Sequence, residues 1–143
     1  MAKPAKAKTK TPTPKSSLPE VYEGVETLLR RYVPPFKVGD FTVRGKESLQ
    51  LVTPKAIVIP GAYGGKPTNW HFAAVILQKG YVGFYLMGVY TNAELKKKLS
   101  PAFLKTLKGK SCFHLKALDK ELKKDIETAL DASAKNYKER GWV

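Results

Sequence analysis

The stretch W-H-F-A-A-V-I-L-Q-K-G-Y-V-G-F-Y-L-M-G-V-Y, residues 70–90, decides the fold of this chain. Its two apolar, β-prone runs flank Lys79-Gly80, a pair that favours a two-residue hairpin turn. This turn predicts a register with the opposite pairs Leu77–Val82, Ala73–Leu86 and His71–Gly88. Both strands are apolar on both faces, so helices can cover one face while the other is expected to meet a second layer, a partner or a ligand.

Helical patterns enclose the hairpin at both ends of the chain. Upstream, apolar residues recur at 3.6-residue spacing from Leu18 until the proline pair at 34–35. Downstream, a long helix is predicted over 119–139, with Asp119 as its N-cap. The order of helix, strands, short helices, strand and long helix predicts an α+β domain, in which a mainly antiparallel sheet packs against the N- and C-terminal helices.

Shorter elements are predicted between these. Runs at 41–43, 49–52 and 56–59 are rich in β-prone residues separated by turn residues, which favours short strands. A helical segment is predicted over 92–99. A second begins at Pro101 and ends at Gly109, a residue suited to a C-terminal cap.

Composition indicates one folded domain. The chain has 143 residues, of which 43% are hydrophobic, an ordinary fraction for a globular protein. No apolar run approaches the roughly 18 residues that a membrane span needs, and no hydrophobic segment follows the basic N-terminus as in a secretory signal. The single cysteine cannot form an internal disulfide, so the cytoplasm is the expected location.

The net charge of +14 is shared between a tail and a body. Residues 1–17 contain no acid and carry five lysines: Lys3, Lys6, Lys8, Lys10 and Lys15. Few apolar side chains and several prolines predict a disordered basic tail, followed by a single domain over 18–143 with a net charge of +9. The tail lysines either contact the phosphates of nucleic acid nonspecifically or form a solubilising extension.

The segment G-K-S-C-F-H-L, residues 109–115, contains Cys112 and His114. In a strand these two side chains share one face, about 7 Å apart at the Cα level, and Phe113 points the other way. One interpretation is a core strand. The other is a nucleophile, or a metal site formed by Cys112, His114 and His71. The spacing matches none of the common zinc motifs, which favours the core strand.

The end of the hairpin is the candidate binding site. A glycine opposite the His71 imidazole would leave a gap, and a gap edged by aromatic rings beside one titratable group suits a small ligand. The candidate ligand-binding residues are Trp70, His71, Tyr85 and Tyr90, with Lys110 available to attract an anion. Simple packing of His71 in the core is the alternative, and a second copy of the chain can also cover the apolar face.

Signatures of catalysis are missing from the sequence. No Ser-His-Asp order, paired carboxylates or H-E-x-x-H helix is present, which favours a binding domain over an enzyme. The loop G-A-Y-G-G-K-P-T, residues 61–68, lacks the spacing of a phosphate-binding loop and has Pro67 at the magnesium-ligand position. No cofactor is identified by the sequence.

Three segments resemble the YdhG-like domains of unknown function: Q-K-G-Y-V-G-F-Y-L-M-G-V-Y (78–90), L-K-G-K-S-C-F-H-L-K (107–116) and Y-K-E-R-G-W (137–142). The resemblance implies a compact α+β fold over residues 18–143. For one branch of the family it implies a frataxin-like iron chaperone, which needs surface carboxylates as ligands. The body of this chain is positive, and a positive surface repels Fe²⁺.

Three functions are therefore carried forward as hypotheses. The first is a non-enzymatic binding or accessory domain with an aromatic pocket that takes a small molecule or a protein partner. The second is a nucleic-acid-associated protein that binds through its lysine tail. The third, implied by resemblance alone, is an iron chaperone.

Overall fold

The computed structural model describes residues 17–39, 45–61, 63–91, 93–109 and 111–143. These residues form five α-helices, six strands and a short 3₁₀ turn at Tyr63–Gly65. In chain order the elements are α1 (Leu18–Arg30), β1 (Lys37–Val38), β2 (Ser48–Ile57), β3 (Thr68–Leu77), β4 (Val82–Leu86), α2 (Met87–Thr91), α3 (Ala93–Lys96), α4 (Pro101–Leu104), β5 (Leu107–Lys108), β6 (Cys112–Leu115) and α5 (Lys120–Glu139).

The six described strands form one antiparallel sheet in the order β1-β2-β3-β4-β6-β5. The β3–β4 hairpin has the predicted register at its turn, with Leu77 opposite Val82 and Ala73 opposite Leu86. Together with the terminal helices, this sheet confirms the predicted α+β class.

Both terminal helices begin at a capping residue, and the cap at Asp119 confirms the prediction. Ser17 accepts a hydrogen bond from the backbone N–H of Glu20 at the start of α1, and Asp119 accepts one from Leu122 at the start of α5. Ser17, the last residue of the predicted tail, is therefore part of the helix cap. No helix in the described ranges is long and apolar enough to cross a membrane.

The predicted pairing of His71 with Gly88 is wrong. Strand β4 ends at Leu86, and Gly88 lies in α2, so His71 is paired with Val52 of β2 instead. A Cβ atom added to Gly88 would lie 2.3 Å from the Oγ of Ser133 on α5. The space beside Gly88 is thus filled by α5, and the gap that the pairing predicted does not exist.

Two shorter elements also differ from the predictions. The runs at 49–52 and 56–59 are not separate strands, because one irregular strand, β2, covers Ser48–Ile57. Helix α4 ends at Leu104, and Gly109, with φ of +84°, lies between β5 and β6 rather than capping a helix. The predicted strand at 41–43 and residues 1–16 of the tail lie outside the described residues.

Candidate functional site

All described helices lie on one face of the sheet. Each contributes a buried side chain to the same core: Val25, Val89, Leu95, Phe103 and Ile126. The opposite face, which no described helix covers, is called the outer face here. Its strand residues include Gln50, Val52, His71, Ala74, Ile76, Gly83, Tyr85, Cys112 and His114.

The outer face is not an apolar surface. Its aliphatic residues Val52, Ala74 and Ile76 are only 6%, 3% and 4% exposed, although they do not belong to the helix-covered core. These three residues therefore expose little apolar surface on the outer face. The sequence predicts a second layer over this face. The buried aliphatic residues described here do not require one.

A groove crosses the outer face. One cavity of about 400 Å³ spans β2, β3, β4 and the start of β6, lined by Gln50, His71, Ala74, Ile76, Tyr85, Met87 and Ser111. A second cavity of about 530 Å³ extends toward β1, lined by Lys37, Val38, Gly39, Gln50, Val52, Thr68, Asn69 and His71. The two share Gln50 and His71, so these two side chains lie at the junction of a continuous groove.

The Gln50–His71 pair defines the polarity of this junction. Gln50 Nε2 lies 3.1 Å from His71 Nδ1. An amide nitrogen can only donate, so Nδ1 accepts and the neutral ring carries its proton on Nε2. Burial lowers the pKa of His71 to about 4, because desolvation disfavours the charged ring. At neutral pH the groove therefore contains an uncharged imidazole.

The free energy of unfolding is expected to fall as the pH drops from about 6.5 to about 4. The unfolded chain protonates His71 near pH 6.5 but the folded chain only near pH 4, so the unfolded state binds more protons in this window. The contribution of His71 is complete above this window, and about 2–3 kcal/mol of it is lost at pH 4. Urea unfolding across this range measures the loss.

The matched variant for this pH dependence is His71→Gln. Carboxylates titrate in both proteins, so the difference in unfolding free energy between wild type and variant isolates the imidazole. A difference that stays constant with pH would contradict the lowered pKa.

Tyr85 lies across the outer face above Gly83. A Cβ atom on Gly83 would be 3.0 Å from Cε1 and 3.2 Å from the hydroxyl of Tyr85, so the glycine allows the ring to approach the strand. Burial raises the pKa of Tyr85 to about 12 and also raises the pKa of Cys112. Two neighbouring side chains also affect the pKa of Tyr85: the Cys112 thiol raises it and the Gln78 amide lowers it.

A stacked pair of aromatic rings lies beside Tyr85. The Tyr81 and His114 rings stack with centroids 3.9 Å apart and an interplanar angle of 14°. Phe113 and Leu115 are buried in the core, while Cys112 and His114 are half-buried on the outer face. The prediction of a strand with these two faces is confirmed.

The structure brings together two of the candidate ligand-binding residues, His71 and Tyr85. Trp70 belongs to the helix-covered core, where its ring packs against Trp142 at 6.5 Å, so the predicted pocket around Trp70 is not formed. Tyr90 is in α2 rather than at the end of the strand. Lys110 lies outside the described residues.

The alternative metal set is not assembled. Within the described ranges, no group of three His, Cys, Asp or Glu side chains is placed to hold a metal ion. Cys112 and His114 are on β6 and His71 is on β3, with β4 between them. The raised pKa of Cys112 keeps the thiol protonated at neutral pH, which does not favour a nucleophile.

Several carboxylates of α5 are engaged in contacts with the rest of the helical layer. Arg31 Nη1 lies 2.6 Å from Glu127 Oε2, and the Ser100 hydroxyl donates to Asp125 at 2.6 Å. The Tyr32 hydroxyl donates to Asp131. These contacts connect α1, α4 and α5, so a structural role accounts for these acids.

Sequence reasoning missed most of the groove lining, including Gln50, Met87 and Ser111. Gln50 did carry a signal, because it is the polar member of an alternating strand between Leu49 and Leu51. Met87 follows β4 and Ser111 precedes β6. No local sequence pattern places either residue at the groove.

Comparison with known proteins finds no family model, no curated protein and no solved structure that matches this chain.

Proposed function

We propose that this chain is a binding domain that holds a small planar ligand in the groove of its outer face. The observation that carries the proposal is the convergence of His71, Tyr85 and Gln50 on one groove above a buried floor of Ala74 and Ile76. Binding sites commonly combine such an apolar floor with a few polar groups that orient the ligand.

The side chains of the groove indicate the chemistry of the ligand. The imidazole is neutral, the phenol and the thiol keep their protons, and no Asp or Glu lines either cavity among the described residues. Lys37 supplies a positive charge at the β1 end. A planar heteroaromatic ligand, neutral or anionic, fits these groups better than a cation.

Titration with nucleosides and other planar heteroaromatic compounds is expected to shift the NMR signals of the His71 and Tyr85 side chains. His71→Leu should weaken the affinity by about tenfold, because one hydrogen-bonding group of the ligand then faces an apolar side chain. The affinity of each variant is measured from the same shifts at neutral pH, with Tyr85 as the reporter.

The control is His114→Leu, which changes the other histidine on the same face but not in the groove lining. It should leave the affinity within about twofold of wild type. If no compound shifts either reporter, the proposed function fails. Equal losses in the two variants would show that binding occurs elsewhere on the face.

Membership in the YdhG-like domains remains a proposal based on the three segments quoted above. Its iron-chaperone branch gains no support from the described residues, which bring no metal-ligand group together. Binding of nucleic acid through the lysine tail rests on the charge of residues outside the described ranges.

A further inference from the structure

The positive charge of the body is concentrated in its sheet-forming middle. Residues 32–118 contain 13 Lys and Arg against 3 Asp and Glu, a net charge of +10. Residues 17–31 and 119–143, which include α1 and α5, contain 8 basic and 9 acidic residues, a net charge of −1. This middle segment forms the whole sheet and also contains the short helices α2, α3 and α4. The asymmetry therefore favours the approach of a polyanion toward the middle segment rather than toward the terminal helices.

Lysines lie at both edges of the outer face. Lys37 on β1 lines the groove with Gln50 and His71, and Lys108 on β5 is paired with Cys112. Because β1 and β5 are the outermost strands of the sheet, five strand spacings separate them, about 24 Å. None of the described strands contains Asp or Glu, so no carboxylate interrupts this path.

Between the lysines, the face presents rings and hydrogen-bonding groups. Tyr85 lies across the strand, while the Gln50 and Asn69 amides and the His71 imidazole line the groove. Unpaired bases stack on aromatic side chains and form hydrogen bonds with such groups along their edges. The core of a protein interface would need a cluster of exposed apolar side chains. In this groove Val52, Ala74 and Ile76 are buried, and Val38, which is 49% exposed, lies at the β1 edge.

We infer that the outer face binds single-stranded nucleic acid, with a base stacked on Tyr85 and the phosphates running between Lys37 and Lys108. The inference rests on the proposed function, because the groove is the site for the base. Single strands are expected rather than duplexes, since only unpaired bases expose their faces to a side chain.

Fluorescence anisotropy with the full chain tests the inference, using labelled oligothymidylate and oligouridylate of about 12 nucleotides. Tyr85→Leu should weaken binding by about tenfold, because it removes a stacked ring, whereas Tyr85→Phe should stay within about twofold of wild type. Lys37→Glu should reduce the slope of log affinity against log salt by about 0.7 for each phosphate that the protein no longer neutralises.

The matched charge control is Lys138→Glu, an exposed position on α5. It makes the same change of net charge on the helical layer and should leave binding close to wild type. Thermal unfolding of each variant verifies that the fold is retained. If Tyr85→Leu and Lys37→Glu bind as Lys138→Glu does, the oligonucleotide does not occupy the outer face and the inference is overturned.

A variant of the full chain with glutamine at all five tail lysines separates the contribution of the tail from that of the outer face. Overall affinity should fall there for single strands and duplexes alike, while the ratio between Tyr85→Leu and its parent stays at about ten. If Tyr85→Leu binds as tightly as its parent in this background, the tail is responsible for nucleic-acid binding and the inference is overturned. Light scattering that shows a dimer disrupted by Tyr85→Leu would also overturn it, because a second copy would then occupy the face.

Failure of the inference can be told from failure of the proposed function. Nucleosides can shift the His71 and Tyr85 signals while oligonucleotides fail to bind at salt concentrations below about 100 mM. In that case the groove is a small-molecule site and only the inference fails. If neither binds, both fail.

Discussion

Gly88→Ala is expected to destabilise the protein by about 2–3 kcal/mol, which lowers the melting temperature by about 6–10 °C. The new methyl group would lie 2.3 Å from Ser133 Oγ, 3.1 Å from Ser133 Cβ and 3.3 Å from a methyl carbon of Leu95. Ser133 is buried within α5 and Leu95 is buried on α3, so neither can move without disturbing the helical layer. Calorimetry or urea unfolding measures the loss.

Ser133→Gly provides the rescue for this prediction. It removes both Ser133 atoms that the added methyl group would meet, at a helix-propensity cost of about 0.5 kcal/mol. Gly88→Ala should therefore cost at least about 1 kcal/mol less in the Ser133→Gly background than in wild type. Additive effects of the two substitutions would show that the contact between α2 and α5 is not the cause.

Tyr137→Ala is expected to cost about 3–5 kcal/mol, the largest effect predicted here. The Tyr137 ring is fully buried and packs edge-on against Phe72 at 5.3 Å, Phe36 at 5.9 Å and Trp142 at 4.9 Å. Its hydroxyl donates to the backbone carbonyl of His71 at 2.7 Å. The substitution removes this packing and leaves a buried carbonyl without that donor, which urea unfolding at neutral pH detects.

Tyr137→Phe separates the two contributions. It keeps the ring and removes the hydroxyl, so a loss of about 1 kcal/mol is expected. Because the hydroxyl holds the backbone of His71 from the opposite side of the sheet, this variant should also broaden or shift the His71 side-chain signals. If Tyr137→Phe is as unstable as Tyr137→Ala, the hydrogen bond rather than the aromatic packing dominates.

The hairpin shows how far local sequence specifies the fold. Lys79-Gly80 and the flanking residues are close in the chain, so the pairing of Leu77 with Val82 follows from the turn itself. The predicted pairing of His71 with Gly88 is wrong because the strand ends where α5, more than forty residues later, packs against Gly88. Strand patterning alone contains no information about that contact.

The candidate site was predictable in part. Adjacent strand residues point to opposite faces, so Trp70 and His71 lie on different faces of β3. This alternation already argues against a pocket that contains both side chains. His71 and Tyr85 lie on the same face, but their meeting with Gln50 depends on the pairing of β2 with β3. That pairing brings together residues about twenty positions apart in the chain.

The sequence by itself determined the α+β class, the terminal helices, the Asp119 cap, the hairpin turn and the two faces of the strand around Cys112. These depend on interactions between near neighbours, which residue type and spacing specify directly. Only the tertiary structure decided which face the helices cover, where β4 ends and which side chains meet in the groove. The reason is that these features depend on contacts between distant segments, whose energies the local pattern does not contain.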